Sequence, residues 1–204
     1  MAIFADRSDA GRHLAQALEA WLGSDAVAVG IPRGGVVVAA EVARALDLPL
    51  AAAVVRKLGS PRNEEYAVGA IADGVRVIDG RAVRAEHVSE RELEKTERRE
   101  RTELERRSRT FGALGADLAQ RTAIVIDDGI ATGSTAAAAC LAVRAQGCAR
   151  LILAVPVAPA SWTPPAEVDE FVCPHRERGF WAVGQYYDDF TQTTDAEVTA
   201  LLGR

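Results

Sequence analysis

The segment from residue 124 to residue 135 constrains the fold of this chain more than any other. It reads as an apolar run, two adjacent carboxylates, a loop bracketed by Gly129 and Gly133, and the start of an alanine-rich helix. Glycine lets the backbone turn tightly and approach a ligand, and the first N–H groups of a helix have no partner within it. The pattern therefore predicts a strand, an anion-binding loop and a helix start.

The loop carries the chemistry of a sugar phosphate rather than that of a bare phosphate. Three hydroxyl side chains, those of Thr132, Ser134 and Thr135, add donors that suit a phosphate. The carboxylates of Asp127 and Asp128 would repel it, unless they face groups that need acceptors, such as sugar hydroxyls or a magnesium ion.

Three alternatives compete for this segment. A nucleoside-triphosphate loop needs a lysine before the Ser/Thr, but here Gly133 is followed directly by Ser134. A haloacid-dehalogenase-like phosphatase uses an Asp-x-Asp pair, whereas these two aspartates are adjacent. A simple strand-ending turn would also contain Asp and Gly, but it does not account for the ordered strand, acid pair and hydroxyl-rich loop together.

The segment from Val125 to Thr135 resembles the phosphoribosyl pyrophosphate (PRPP) signature of the type I phosphoribosyltransferases. The resemblance implies an α/β fold in one domain over residues 1–204, with a parallel sheet flanked by helices on both faces and a small hood. It implies a magnesium-dependent enzyme that moves the phosphoribosyl group of PRPP to a nitrogenous, nucleobase-like acceptor and releases pyrophosphate. A PRPP- or nucleotide-sensing regulator with little catalysis is the alternative.

A second strand, loop and helix precede the signature. A buried strand over residues 26–29 runs into Gly30-Ile31-Pro32-Arg33-Gly34-Gly35, and an apolar helix follows to Leu46. The loop offers backbone amides and one cation to an anion. In the resemblance it corresponds to the pyrophosphate loop, with a strained or cis peptide expected at Arg33–Gly34; an ordinary glycine-rich connection is the alternative.

The next predicted strand, over residues 50–55, ends at Arg56 and Lys57. A parallel strand would deliver these cations to the carboxyl edge of the sheet. Neighbouring residues of a strand point to opposite faces, so only one of the two is expected in the site. Lys57 is the better candidate for a pyrophosphate contact.

The strand–helix alternation continues after the signature, with a helix over residues 136–146 and strands over 151–155 and 168–172. This alternation predicts a parallel sheet with the ligand loops at its carboxyl edge. Residues 59–110 are predicted to be an insertion: a mobile loop or static hairpin at 59–65, a hairpin turn at 73–74, and a charged helix from Ser89 to Arg109. That helix would be solvated, form part of a hood, or pack on a partner subunit of a homo-oligomer.

Residues 174–204 are predicted to form the hood or tail. They contain Phe180, Trp181 and Tyr186 in a chain that is otherwise poor in aromatic residues, and these rings are candidates for stacking on a planar base. Core packing is the alternative for this cluster.

The predicted site has three parts. The catalytic candidates are Asp127, Asp128, Arg33 and Lys57. The substrate-binding candidates are Gly129, Ile130, Ala131, Thr132, Gly133, Ser134, Thr135, Pro32, Gly34 and Gly35. The cofactor implied by the resemblance is Mg²⁺, which Asp127 and Asp128 would hold through ribose hydroxyls or water.

Composition limits the remaining classes of function. No apolar run approaches the roughly 20 residues of a membrane helix, and the N-terminus lacks the pattern of a secretory signal, so a cytoplasmic protein is expected. A net charge of −5 disfavours a broad nucleic-acid-binding face. The 3 cysteines are widely spaced, which predicts neither a disulfide framework nor a Cys-x-x-Cys metal site.

Overall fold

Residues 2–72, 74–112 and 117–203 are described by the structure, a computed structural model. Its α-helices are α1 (Arg7–Ala17), α2 (Gly34–Leu46), α3 (Gly80–Ala85), α4 (Glu90–Phe111), α5 (Ser134–Arg144) and α6 (Asp195–Leu201). Its strands are β1 (Val27–Gly30), β2 (Leu50–Ala52), β3 (Val55–Ser60), β4 (Asn63–Ala72), β5 (Val75–Ile78), β6 (Thr122–Ile126), β7 (Arg150–Ala154), β8 (Val157–Pro159), β9 (Glu170–Val172) and β10 (His175–Glu177). Short 3₁₀ turns lie at Glu19–Trp21 and Val183–Tyr186.

The central sheet is parallel throughout, with the strand order β2-β1-β6-β7-β9. Its strands are short apolar runs, and β1 is buried along its whole length. A strand that is covered on both faces needs apolar side chains in both directions, which is why these segments show no polar alternation.

Helices cover both faces of this sheet, as predicted. Ala28, Ile124 and Ile152 pack with α1 and α2 in one buried cluster. The alternate strand residues, among them Val29 and Val125, pack with α5 in another. Because successive side chains of a strand point to opposite faces, the two clusters lie on opposite sides of the sheet.

The topology places a crevice between β1 and β6. The chain leaves β1 toward β2 on one side, and β6 joins β1 on the other side, so the strand order reverses between them. The ends of three strands are level, because Gly30 pairs with both Ala52 and Ile126. In open α/β sheets a ligand crevice forms at the carboxyl ends of the strands at such a point. The loops after β1 and β6 both begin there.

The insertion contains a second, antiparallel sheet of order β3-β4-β5. One prediction needs correction here. The strand expected over residues 50–55 is divided into β2 and β3, so Arg56 and Lys57 lie within β3 rather than at the end of a parallel strand. Residues 59–65 form the end of the β3–β4 hairpin, which agrees with the hairpin alternative for this segment. The predicted turn at 73–74 joins β4 to β5, and its residue 73 lies outside the described residues.

The charged helix is confirmed as α4, with Ser89 as its N-cap in a reciprocal capping box with Glu92. Four ion pairs at i,i+4 spacing are present along it: Glu94–Arg98, Glu97–Arg101, Glu103–Arg107 and Glu105–Arg109. Although most of its residues are charged, the helix also contributes apolar side chains to the core. Leu93, Leu104 and Phe111 pack in a core cluster against the antiparallel sheet, α3 and α6.

The two ends of the described chain come together. Phe4 is buried against Tyr186 and Tyr187, and the backbone N–H groups of Ile3 and Phe4 donate to the Tyr186 carbonyl, both at 2.9 Å. Asp6 caps α1 by accepting from the Asp9 N–H at 2.7 Å. No helix in the described ranges is long and apolar enough to cross a bilayer.

The packing of α4 can be tested by replacing a buried leucine of this helix and, as a control, an exposed leucine elsewhere with alanine. Leu104→Ala should lower the free energy of unfolding by about 2–5 kcal/mol, because a buried side chain leaves a cavity. Leu22→Ala, at a leucine that is 65% exposed, should change it by less than about 0.5 kcal/mol. Equal losses in urea unfolding would show that α4 does not pack as described.

Candidate functional site

The loops after β1 and β6 are in direct contact at the crevice. A Cβ placed on Gly34 would lie 2.0 Å from Asp128 Oδ2, and one on Gly35 would lie 2.9 Å from Asp127 Oδ1. Only glycine fits such an approach, so the pair of glycines is what allows the acid pair and the first loop to share one edge. The predicted convergence of the two loops is therefore present.

The first loop contains a cis peptide, but between Pro32 and Arg33 rather than at Arg33–Gly34, where the resemblance placed it. Helix α2 starts at the next residue, Gly34. The Arg33 guanidinium donates to Asp195 Oδ1 at 3.3 Å, so in this structure it faces the start of α6.

Asp128 is held by two residues that the sequence did not single out. Arg7 Nε donates to Asp128 Oδ2 at 2.7 Å, and the Tyr187 hydroxyl donates to the Asp128 carbonyl at 2.5 Å. Arg7 is itself fixed, since it donates to the Thr191 carbonyl at 2.8 Å and lies 3.8 Å from the centroid of the Phe190 ring. These contacts orient one of the two carboxylates.

The pKa values of both aspartates are raised above their ordinary values. Burial raises the pKa of Asp127 well above its ordinary value, and the neighbouring Asp128 charge raises it further. Burial also raises the pKa of Asp128, while the hydrogen bond and the charge of Arg7 act in the opposite direction. Burial raises the pKa of the Tyr187 phenol as well, which keeps it a neutral donor. Arg7 is thus the main group that favours the ionised form of Asp128.

Arg7 and Asp128 can be tested by a double-mutant cycle. Arg7→Met should destabilise the protein by about 3–5 kcal/mol, because it leaves a buried carboxylate without its partner. The double variant with Asp128→Asn should lose less stability than the sum of the losses in the two single variants. Denaturant unfolding should give a coupling energy of about 1–3 kcal/mol. Additive losses would contradict a direct interaction.

The hydroxyl-rich loop leads into α5 as predicted. The Ile130 N–H donates to the Val157 carbonyl at 3.0 Å, and the hydroxyls of Thr132 and Ser134 are 3.2 Å apart. Gly133 adopts a φ of 80° immediately before the helix starts at Ser134. The first turn of α5 therefore presents its N–H groups at the crevice, next to these hydroxyls.

Trp162 supports this loop from outside. Its indole N–H donates to the Thr132 carbonyl at 3.3 Å, and a Cβ on Gly133 would lie 2.3 Å from Nε1 of the ring. The ring also packs on Phe171, with centroids 5.2 Å apart. Trp162 thus fixes the backbone of the loop without belonging to it in sequence.

Two glycines that flank α5 provide a matched test of this contact. Gly133→Ala and Gly147→Ala both place alanine at a left-handed φ, 80° and 82°, which costs about 1–2 kcal/mol in each case. Nothing lies within 4 Å of a Cβ on Gly147, whereas one on Gly133 would clash with Trp162. Gly133→Ala should therefore lower the free energy of unfolding, measured in urea, by about 1–3 kcal/mol more than Gly147→Ala does. Equal losses would exclude close packing by Trp162.

Lys57 reaches the signature loop, and Arg56 does not. Lys57 Nζ donates to Ser134 Oγ at 3.1 Å, while Arg56 Nε donates to Glu100 Oε2 of α4 at 2.8 Å. This confirms that the two cations point to opposite sides of their strand. Lys57 also lines a cleft of about 250 Å³, together with Ile31, Pro32, Ala53, Val54, Val55, Arg56, Arg107 and Thr135.

The predicted aromatic group is divided between the core and the surface. Tyr186 is 6% exposed and packs with Phe180 in the cluster around Phe4, while Trp181 is 91% exposed. A Cβ on Gly129 would lie 2.6 Å from Val183 Cγ1, so the segment that carries Trp181 lies against the signature loop. Of the three rings, Trp181 is the most exposed.

The described residues contain no group of three or more His, Cys, Asp or Glu side chains that could hold a metal ion. One Asp128 oxygen accepts from Arg7, and one Asp127 oxygen accepts from the Asp128 N–H at 2.9 Å. Each carboxyl retains a second oxygen. This donor set fits a magnesium ion held mainly by substrate phosphates and water, with one or two carboxylates, rather than a cage made only of protein. The 3 cysteines are free thiols.

The geometry is that of an α/β protein in which two glycine-containing loops meet at a strand-order switch point. The family model described as "Phosphoribosyl transferase domain" matches residues 6–191. The chain belongs to this family, and its fold is that of the type I phosphoribosyltransferases. That confirms the family resemblance and the fold predicted from the sequence.

Similar proteins include a Mycobacterium tuberculosis protein named "Putative phosphoribosyl transferase", known from two strains and 47% identical over the whole chain. The chain spans about half the length of these curated relatives, 47%. The crystal structure of TT1426 from Thermus thermophilus is 39% identical, with a TM-score of 0.84 over 99% of this chain and 98% of that one.

Three residues that contact the site loops were not identified from the sequence: Arg7, Tyr187 and Trp162. Arg7 and Tyr187 lie 121 and 59 residues from Asp128, so no local spacing connects them to it. Trp162 follows β8, and its approach to the loop depends on the order of strands. The sequence shows only that this tryptophan lies in a proline-rich loop after a predicted strand. That position does not predict which loop its side chain contacts.

Proposed function

We propose that this chain is a magnesium-dependent phosphoribosyltransferase that transfers the phosphoribosyl group of PRPP to a nitrogenous, nucleobase-like acceptor and releases pyrophosphate. The observation that carries the proposal is the contact of Gly34 and Gly35 with Asp127 and Asp128. It brings an amide-rich loop, an acid pair and a helix N-terminus to one edge of the sheet. A sugar with a phosphate at one end and a pyrophosphate at the other needs these three features together.

In this proposal the loop from Thr132 to Thr135 binds the 5-phosphate with its hydroxyls and the first N–H groups of α5. Asp127 and Asp128 accept from the ribose hydroxyls, and their charge stabilises the cation that develops at the anomeric carbon. Arg7 and Tyr187 keep Asp128 oriented for this role. Positioning and electrostatics account for the chemistry without a nucleophilic side chain, because a ring nitrogen of the acceptor attacks the sugar.

The pyrophosphate end is assigned to the first loop and to Lys57. Lys57 already donates to the signature loop at Ser134, and it lines the cleft that borders Pro32. Arg33 would have to leave Asp195 to take part. Magnesium would be held by the pyrophosphate with help from Asp127 or Asp128, where it neutralises the leaving group.

The acceptor is proposed to stack on Trp181, the exposed ring next to the Gly129 contact. No membrane or nucleic-acid partner is proposed, and the protein is proposed to act in the cytoplasm. Because the curated relatives are about twice as long, an additional region of a longer protein could supply a further activity or subunit contacts. The proposal concerns the domain that this chain forms.

Asp127→Asn combined with Asp128→Asn should abolish PRPP-dependent release of pyrophosphate while circular dichroism shows an unchanged fold. The change keeps the side-chain shape and removes both charges from the proposed ribose site. Asp25→Asn, at an exposed aspartate, is the matched control and should retain wild-type activity. Full activity in the double variant would overturn the proposed role of the acid pair.

The same assay separates an enzyme from a sensor. Pyrophosphate release should be measured with PRPP, magnesium and a panel of free bases, beside a thermal-shift panel of PRPP, nucleoside monophosphates and bases. An enzyme gives base-dependent release. Stabilisation by PRPP or a nucleotide with no release for any base would support the regulator instead.

A further inference from the structure

The cleft beside Lys57 has a wall that belongs to the charged helix. Most of its lining comes from the ends of the central strands and from β3, but Arg107 of α4 lines it as well, in the same cavity as Lys57 and Thr135. The sequence offered this helix as a solvated element, a hood or a subunit contact. Its presence at the cleft indicates a direct role in the site.

The position of α4 over the cleft is fixed by a buried ion pair. Glu100 is 7% exposed, and its carboxylate accepts from Arg56 Nη2 at 2.5 Å and from Arg56 Nε at 2.8 Å. Arg56 is the residue next to Lys57 on β3. Leu104 before Arg107 and Phe111 after it are also buried, so the helix is held in the core on both sides of Arg107.

The charge of Arg107 can be used by a ligand without leaving an unpaired carboxylate. Arg107 donates through Nε to Glu103 Oε1 at 2.8 Å. Glu103 also accepts two hydrogen bonds from Arg106, both at 2.9 Å, so it stays paired if Arg107 turns toward the cleft. The hydrogen bonds from Arg106 and Arg107 lower the pKa of Glu103 to about 2, and the one from Arg106 is the larger cause, so Glu103 keeps its main partner if Arg107 turns away.

We propose that Arg107 is a substrate-binding residue, which contacts the pyrophosphate group of PRPP from the side of the cleft opposite the signature loop. The planar guanidinium suits a bidentate contact with phosphate oxygens, and a cleft of about 250 Å³ suits a small anion rather than a whole nucleotide. Helix α4 is then a structural part of the substrate site. This inference rests on the proposed function.

The test compares two arginines of the same helix. Arg107 and Arg109 each pair with a glutamate four residues earlier, but Arg109 is 81% exposed and lies outside the cleft. Titration calorimetry with magnesium should measure binding of PRPP, inorganic pyrophosphate and ribose 5-phosphate to wild type, Arg107→Met and Arg109→Met. Arg107→Lys, which keeps the charge but not the planar fork, completes the set.

Arg107→Met should weaken PRPP and pyrophosphate binding by about tenfold, the loss expected for a charge-assisted hydrogen bond, and leave ribose 5-phosphate binding within about twofold. Arg107→Lys should give an intermediate loss, and Arg109→Met none. If wild type binds PRPP but the two Met variants behave alike, the role of Arg107 is overturned and the proposed function stands. If wild type binds neither PRPP nor pyrophosphate, both are overturned.

Discussion

The closest backbone approach in the site, that of Gly34 and Gly35 to the two aspartates, is the constraint on which the rest of the arrangement depends. A Cβ at Gly34 would occupy the space of an Asp128 carboxylate oxygen, and one at Gly35 would lie too close to the Ile126 carbonyl and to Asp127. The approach is available because β1 and β6 are neighbours whose ends are level. The contact between the two loops therefore depends on three things at once: the order of the strands, the glycines of the first loop and the position of the acid pair.

Much of the fold and of the candidate site could be predicted from the sequence, because the features concerned are formed by residues close together in the chain. The signature, the Gly30–Gly35 loop and the ion pairs of α4 are each encoded within about a dozen residues, where backbone periodicity and turn chemistry decide the outcome. The opposite orientation of Arg56 and Lys57 followed from the two-residue period of a strand. What failed was a boundary: β2 ends at Ala52 and β3 begins at Val55, but residues 53–55 continue the apolar run of β2, so the sequence predicted one strand.

The remaining parts depend on contacts between distant segments, which no single window contains. Arg7 reads as an ordinary first-turn residue of a helix, and only the folded chain shows that it meets Asp128 and rests on Phe190. Glu100 looks like one more charge in a charged helix, yet it is buried against Arg56. In both cases the burial of a residue type that favours solvent is offset by one partner far away in sequence, and the sequence pattern does not specify which partner.

The joining of the two chain ends has a consequence for how the site comes into being. Asp128 is oriented by a residue near the start of the chain and by Tyr187, while Thr191 fixes that first residue in turn. During synthesis the signature loop emerges long before Tyr187 and Thr191 do. The sugar-binding edge is thus expected to remain incompletely ordered until nearly the whole domain has been made, so that a truncated chain keeps the signature but lacks the means to hold it in place.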